Sequence, residues 1–317
     1  MTFNSTALLS IRPGINSSLE QVERDLTLYF EAPKDNQEAI ERALTEMHRN
    51  SGVFHMVAMD GVSVYCAEIE KVLQGLATRS LIPSAANFGI IQRALLALTY
   101  YLDALIDGAS NAVVRLFHPY QELQQARGIE MSLEVDLFFP DLNIELPPPP
   151  VLRIPVTSEL PAQVKKERGQ FQLAMLQWLR RNNLSQDSTN DALQSMREAV
   201  LSVMACIPQG ERRAFWWIAA GVLDCLLVDG IPPELNVMRV LSRIDRQMKV
   251  LLDGSQDEER SIMNEMLYLL ARSHSVSELV DSIKQVYALD EFLPEESALP
   301  PSELKQMLEQ LRLQLLT

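Results

Sequence analysis

The stretch from Met47 to Glu70, M-H-R-N-S-G-V-F-H-M-V-A-M-D-G-V-S-V-Y-C-A-E-I-E, is read as the end of one helix, a tight reversal, and the start of another. Upstream, a helix that starts after Asp35 with Glu38 three residues on carries Ile40, Leu44, Met47 and Ser51 along one side, and His48 falls on the adjoining side. Asp60-Gly61 reads as a turn that caps the next helix, whose Val64, Ala67, Val72 and Leu76 recur at helical spacing. Two amphipathic helices joined this tightly predict an antiparallel pair in a helical bundle.

The same periodicity extends in both directions. A first helix spans most of Asn4 to Phe30, with Pro13-Gly14 predicting a kink or break and Ser17 to Glu20 a capping box. A fourth begins near Ser84 and is apolar on almost every side from Phe88 to Ile106, as a central helix would be. A fifth runs from about Ser110 to Arg127, ends at Gly128, and should be bent or split by Pro119. From Ile129 acidic and apolar residues alternate up to the run Pro147 to Pro150, which prefers extended polyproline form. Leu137, Phe138 and Phe139 are too apolar to stand in water and should pack back on the bundle.

Helical segments resume near 159–182, 187–206, 210–229, 233–253, 256–273, 276–287 and 302–316, separated by short Gly- and Pro-containing connectors. The expected organisation is therefore all-α: a bundle over 1–128, a linker over 129–157, and a second bundle over 158–317. No second H-x-x-x-G unit marks the halves as repeats.

Composition narrows the function. Of 317 residues, 47% are hydrophobic and 12 are Gly, which favours helices. A formal charge of −14 argues against nucleic acid, whose binding rests on Lys and Arg displacing counterions. Cys66, Cys206 and Cys225 form no C-x-x-C pair and sit in apolar runs, as expected of a reduced cytoplasmic protein. The N-terminus does not resemble a secretion signal, and windows such as Phe215 to Val228 fall short of the roughly 20 apolar residues of a span, so membrane insertion is not expected. No Ser-His-Asp set, H-E-x-x-H, phosphate-cradling Gly loop or calcium loop is found. No enzymatic activity, cofactor or metal is expected.

With the helices placed, H-R-N-S-G followed by C-A-E-I-E-K-V-L resembles the histidine phosphotransfer (HPt) domain of chemotaxis-type kinases, with its H-x-x-K-G on one helix and H-x-x-E on the next. The resemblance implies that His48 stands at the phosphoacceptor, Ser51 at the lysine, Gly52 at the glycine, Ala67 at a second histidine, and Glu70 at the carboxylate that holds the ring. More of the chain, from Leu8 to about Pro150, is similar to the N-terminal region of the hybrid kinase of the Chp/Pil chemosensory system of type IV pili, and to the related FimL accessory proteins. The motifs are H-R-N-S-G-V-F-H-M-V-A-M-D-G, Q-E-L-Q-Q-A-R-G and L-F-F-P-D-L.

Phosphoryl transfer to an imidazole needs an exposed ring nitrogen, a partner that fixes the tautomer, and positive charge for the phosphoryl oxygens. His48 and Glu70 supply the first two. Ser51 in place of lysine removes the third, and a charge pair 4 Å apart at an effective dielectric of 20 is about 4 kcal/mol. Arg49 points about 100° away. The expected role is a pseudo-HPt scaffold in which Arg49, Ser51 and Gly52 mark the docking face for CheY-like response regulators or other pilus chemosensory proteins. It would act in the cytoplasm, with polar placement through those partners. The alternatives are an active HPt domain phosphorylated on His48, and a helical oligomerisation domain without signalling. His55, in the apolar V-F-H-M-V run, is expected to be packed, and Phe215-Trp216-Trp217 to contribute mainly to the core.

Overall fold

The computed structural model describes residues 5–144, 160–181, 185–207, 211–253, 260–274 and 277–294. Among these are eleven α-helices and no strand. The first five are α1 Ser5–Glu31, α2 Gln37–Met56, α3 Asp60–Ala77, α4 Ala85–Ile106 and α5 Phe117–Ala126. The remaining six are α6 Leu160–Leu179, α7 Gln186–Ala205, α8 Glu211–Leu227, α9 Leu235–Asp253, α10 Arg260–Ala271 and α11 Glu278–Val286. The fold is all-α, with tandem helical bundles. The predicted polyproline run at Pro147 to Pro150 and the predicted helix over 302–316 lie outside the described residues.

In the first bundle α1 is continuous through Pro13, contrary to the expected break. Proline removes one helical hydrogen bond, to the carbonyl of Leu9. Packing overrides that loss, because Leu8, Ile15, Leu19, Val22, Leu26 and Tyr29 form one buried stripe on both sides of it. Arg12, itself buried, fixes the same point by donating to Asp103 at 2.5 Å and to the Thr99 carbonyl at 3.1 Å. Ser17 and Glu20 consequently lie inside the helix, and the expected capping box does not form. The Asp25 carboxylate, also buried, is held by Arg42 of α2 at 2.6 Å and by Gln21 at 2.8 Å.

The reversal between α2 and α3 falls at Val57 to Met59, with Ala58 in the left-handed region at φ 58°. Asp60 and Gly61 are the first residues of α3 rather than the turn. Gly61 is buried, and a Cβ there would stand 2.9 Å from Val113 Cγ2 and 3.0 Å from Phe139 Cδ2, so close approach requires the glycine. On α3 the inward face is Val62, Tyr65, Cys66, Ile69, Val72, Leu73 and Leu76. Val64 and Ala67, expected inside, are only half-buried.

Ser84 caps α4 by accepting from the Asn87 amide at 3.2 Å. Among the described residues α4 is the one helix long and apolar enough to cross a bilayer by length and composition. Ile91, Ala94, Leu95, Leu98, Leu102 and Leu105 bury one face of it, while Leu96 and Tyr100 are exposed. The expected fifth helix is split upstream of Pro119: a 3-10 turn, Val113–Leu116, precedes α5, and Pro119 sits in the first turn of α5, where a missing amide costs nothing. Gly128 ends it at φ 82°.

The segment after Gly128 joins two cores. Following a 3-10 turn, Glu134–Leu137, the side chain of Leu137 enters the core of the first bundle, whereas Phe138 enters that of the second beside Tyr268 and Phe292. The expectation that all three apolar residues pack on the first bundle is corrected accordingly. Phe139 is at the surface and 36% exposed, over Gly61. Asn264 donates to the Phe138 carbonyl at 2.7 Å, Arg260 reaches Asn143 at 2.7 Å, and Glu134 accepts from Tyr268 and Arg272.

The second bundle is organised around α8, in which Phe215, Trp216, Ile218, Ala219, Val222, Leu223 and Cys225 are all buried. Phe215 and Trp216 are thus core, and Trp217 packs on Tyr287. Arg168 makes a bidentate pair with Asp245, at 2.9 and 3.0 Å, that ties α6 to α9. Asp224 receives both Arg197 of α7 and Ser277, which precedes α11.

Two outcomes follow. Gly61→Leu should destabilise the protein by roughly 1–3 kcal/mol through overpacking. Gly52→Ala, in a helix interior where a Cβ meets nothing within 4 Å, should stabilise it by roughly 0.5–1 kcal/mol. Urea titrations of both variants check the contrast, and shifts in the same direction would refute it. Burial pushes the phenols of Tyr120, Tyr268 and Tyr287 up to about 12, and raises those of Tyr65 and Tyr101 as well. Because these folded values exceed the unfolded value of about 10, their contribution is complete below pH ~10 and is lost as pH rises toward ~12. In a Tyr100→Phe background, which removes the exposed phenol, the tyrosinate absorbance of these five residues should therefore appear together with loss of the far-ultraviolet helical signal, not before it.

Candidate functional site

On α2, Met47, Asn50 and Phe54 point inward, which turns His48 to the surface. Its side chain is 79% exposed, and Nδ1 lies 3.0 Å from Glu70 Oε1 on α3. The carboxylate accepts, so Nδ1 carries a proton, and the far side of the ring with Nε2 faces solvent. His48 and Glu70 are equidistant in sequence from Met59, and the hairpin brings them together for that reason. This much of the predicted pair is assembled.

The other predicted residues turn away from the ring. Ser51 Oγ lies 3.1 Å from both the carbonyl and the hydroxyl of Ser63, and Ser63 Oγ donates back to the Ser51 carbonyl at 2.9 Å. This reciprocal clasp joins α2 to α3 and occupies the Ser51 hydroxyl. Arg49 Nη1 binds Glu46 at 2.9 and 3.2 Å, and Glu46 also accepts from Ser18 of α1 at 2.8 Å. The guanidinium is therefore drawn one turn back toward α1, whereas His48 leans toward α3. Gly52 is exposed, with open space where a side chain would stand. Ala67 is half-buried and offers no polar group.

Beyond Glu70 a groove of about 420 Å³ continues past Lys71, Gln74, Thr78 and Arg127. Its two cations are committed: Lys71 Nζ is 3.0 Å from Glu68, and Arg127 pairs with the same carboxylate. Glu68 is only 2% exposed, and a buried carboxylate without partners would be strongly destabilising. These cations thus serve the fold. Sequence reasoning did not single out Ser63 or Glu68, although Ser63 could have been found by counting outward from the turn, since Ser51 and Ser63 are equidistant from Val57.

His55 is not packed. Its side chain is 75% exposed and hydrogen-bonded to Asp60 at 2.8 Å. Phe54 takes the inward position at the end of α2, and its neighbour is left outside facing the carboxylate that opens α3. His118 is likewise exposed, 3.8 Å from Glu122. Among the described residues no group of three or more His, Cys, Asp or Glu side chains is arranged to hold a metal ion.

Residues 156–300 match the family described as the FimL scaffold protein second domain. That match covers the second run of helices, and the His48 site lies outside it. The chain is also similar to the scaffold protein FimL of Pseudomonas aeruginosa, with 23% identity over 307 residues, which are 94% of this chain and 53% of that protein. The chain spans about half the length of this curated relative. No solved structure matches it.

Removing the clasp should loosen the hairpin measurably. Ser51→Ala and Ser63→Ala should each cost about 1 kcal/mol, and the double variant somewhat less than the sum, because the hydroxyl–hydroxyl contact is lost in either, whereas each hydroxyl's bond to the other's carbonyl is its own. A double-mutant cycle by urea denaturation measures this, and simple additivity would rule out the coupling.

Proposed function

We propose that this chain is a non-catalytic scaffold module of a type IV pilus chemosensory, two-component system. In this reading its first bundle is a pseudo-HPt domain that docks CheY-like response regulators or other pilus chemosensory proteins without accepting phosphate. It acts in the cytoplasm and takes polar placement from its partners. The similarity to a scaffold protein supports the general role, and the commitment of every cation around His48 supports the particular one. Arg49 is held by Glu46, Lys71 and Arg127 by Glu68, and Ser51 carries no charge. A phosphoryl group arriving at Nε2 would meet, among the described residues, Glu70 and cations each already paired with a carboxylate, and losing about half of a 4 kcal/mol pair already slows transfer more than tenfold. The open surface at Gly52 leaves room for a partner against α2.

One observation favours a second reading, an active HPt domain. His48 keeps its orienting carboxylate at 3.0 Å and a solvent-facing Nε2, which suffices if the receiver brings its own metal and cation.

Incubation of the full chain with the chemosensory kinase and radiolabelled ATP separates the two. The expected result is no acid-labile label, with receiver binding unchanged by His48→Gln and weakened by Gly52→Gln. Stoichiometric acid-labile label on the chain, lost in His48→Gln, would establish the active domain instead.

A further inference from the structure

Where the two bundles meet, a cleft of about 250 Å³ remains open. Its apolar walls come from both bundles and from the segment that joins them: Phe117 at the start of α5, Leu133 and Val135 at the second 3-10 turn, Val240 on α9 and Leu269 on α10. A single occupant would touch all three parts of the chain. The volume suits one ring or a branched chain, since drug-sized ligands fill roughly 300–1,000 Å³.

The polar groups of the lining divide into those already bonded and those that are not. Glu134 accepts from Tyr268 and Arg272, and Ser132 donates to Gln124 at 2.5 Å. Glu265 pairs with Arg243 through one oxygen, and its other oxygen lies 3.3 Å from Arg239 Nη2 without an aligned hydrogen bond. Arg239 is 46% exposed, and among the described residues none of its N–H groups makes a hydrogen bond. The side-chain amide of Asn236, three residues earlier on the same face of α9, is equally unused among the described residues.

Three guanidiniums, Arg239, Arg243 and Arg272, thus meet two carboxylates, Glu134 and Glu265, and the surplus cation is the one at the cleft. Asp136 is turned back to accept from the Leu133 amide at 3.1 Å. Glu234, just ahead of α9, is exposed and outside the lining, where solvent screens its charge. What the cleft lacks is an acceptor.

We propose that this cleft binds a small carboxylate with an aromatic or branched aliphatic body. Its oxygens accept from Arg239 and Asn236, and its body lies against Phe117, Leu133 and Val240. Pairing with Glu265 holds the guanidinium at the cleft with a free edge, and a guanidinium edge matches a carboxylate with two parallel hydrogen bonds. Burial of the apolar body supplies the remaining affinity. Because the occupant spans both bundles, the site gives the chain a small-molecule input at their junction. It is independent of His48, so the phosphotransfer experiment and the one below can fail separately.

The test titrates the full chain with phenylacetate, followed by saturation-transfer NMR of the ligand, with phenethylamine and 2-phenylethanol as the matched cation and neutral molecule. We expect saturable binding of phenylacetate, at least about tenfold tighter than that of either analogue. Binding should fall at least about tenfold in Arg239→Gln and about fivefold in Asn236→Ala. The Asn236 side chain is exposed and bonds no described residue, so Asn236→Ala should keep the wild-type melting temperature and remains decisive if Arg239→Gln is destabilised. The proposal is overturned by the absence of saturable phenylacetate binding, by equal binding of phenethylamine or 2-phenylethanol, or by phenylacetate binding that survives Asn236→Ala and Arg239→Gln unchanged.

Discussion

Two adjacent side chains, Leu137 and Phe138, leave the backbone toward different hydrophobic cores, and the arrangement of the chain depends on that divergence. The backbone becomes extended at Phe138, at φ −104° and ψ 111°, and extended chain alternates its side chains between opposite faces. Each buried residue is worth about 1.5–3 kcal/mol of apolar transfer. Around them the polar contacts are matched as well: Glu134 is met by Tyr268 and Arg272, and the Phe138 carbonyl by Asn264. Val114, from the first run of helices, also belongs to the core of the second.

The surface at His48 follows a different logic. Its imidazole and carboxylate face each other with good geometry, yet the neighbouring groups that carry positive charge are bound elsewhere for structural reasons. Glu68 is buried and requires two cations, Glu46 bridges Arg49 and Ser18, and the Ser51 hydroxyl has become part of the hairpin joint. The open glycine beside it is the exception, since no described residue lies within 4 Å of where a Cβ on Gly52 would stand.

Helix periodicity made the helical class and most of the helix positions legible in the sequence, because buried stripes such as Leu19–Val22–Leu26–Tyr29 leave a plain pattern. Punctuation was less reliable. Pro13 and Asp60-Gly61 carry strong local signals for a break and a turn, but the first is overruled by a stripe that runs past it, and the second reflects the approach of Val113, more than fifty residues away in sequence. The pairing of His48 with Glu70 was legible from a motif. The opposite commitments of Arg49 and Ser51 were not, since they depend on Glu46, Ser18 and Ser63, three ordinary polar residues whose roles emerge only from helix packing. His55 was misread for a similar reason: an apolar run near a helix end does not say which of its members the last turn leaves outside.

The shared segment also determines how the chain can be divided. A cut after Gly128 takes Leu137 from one bundle and leaves a void in it, and a cut after Ile144 takes Phe138 from the other. Severing the single bond between Leu137 and Phe138 lets each fragment keep its own plug, at the cost of the polar bonds from Tyr268 and Arg272 to Glu134 and of Val114 in the second core.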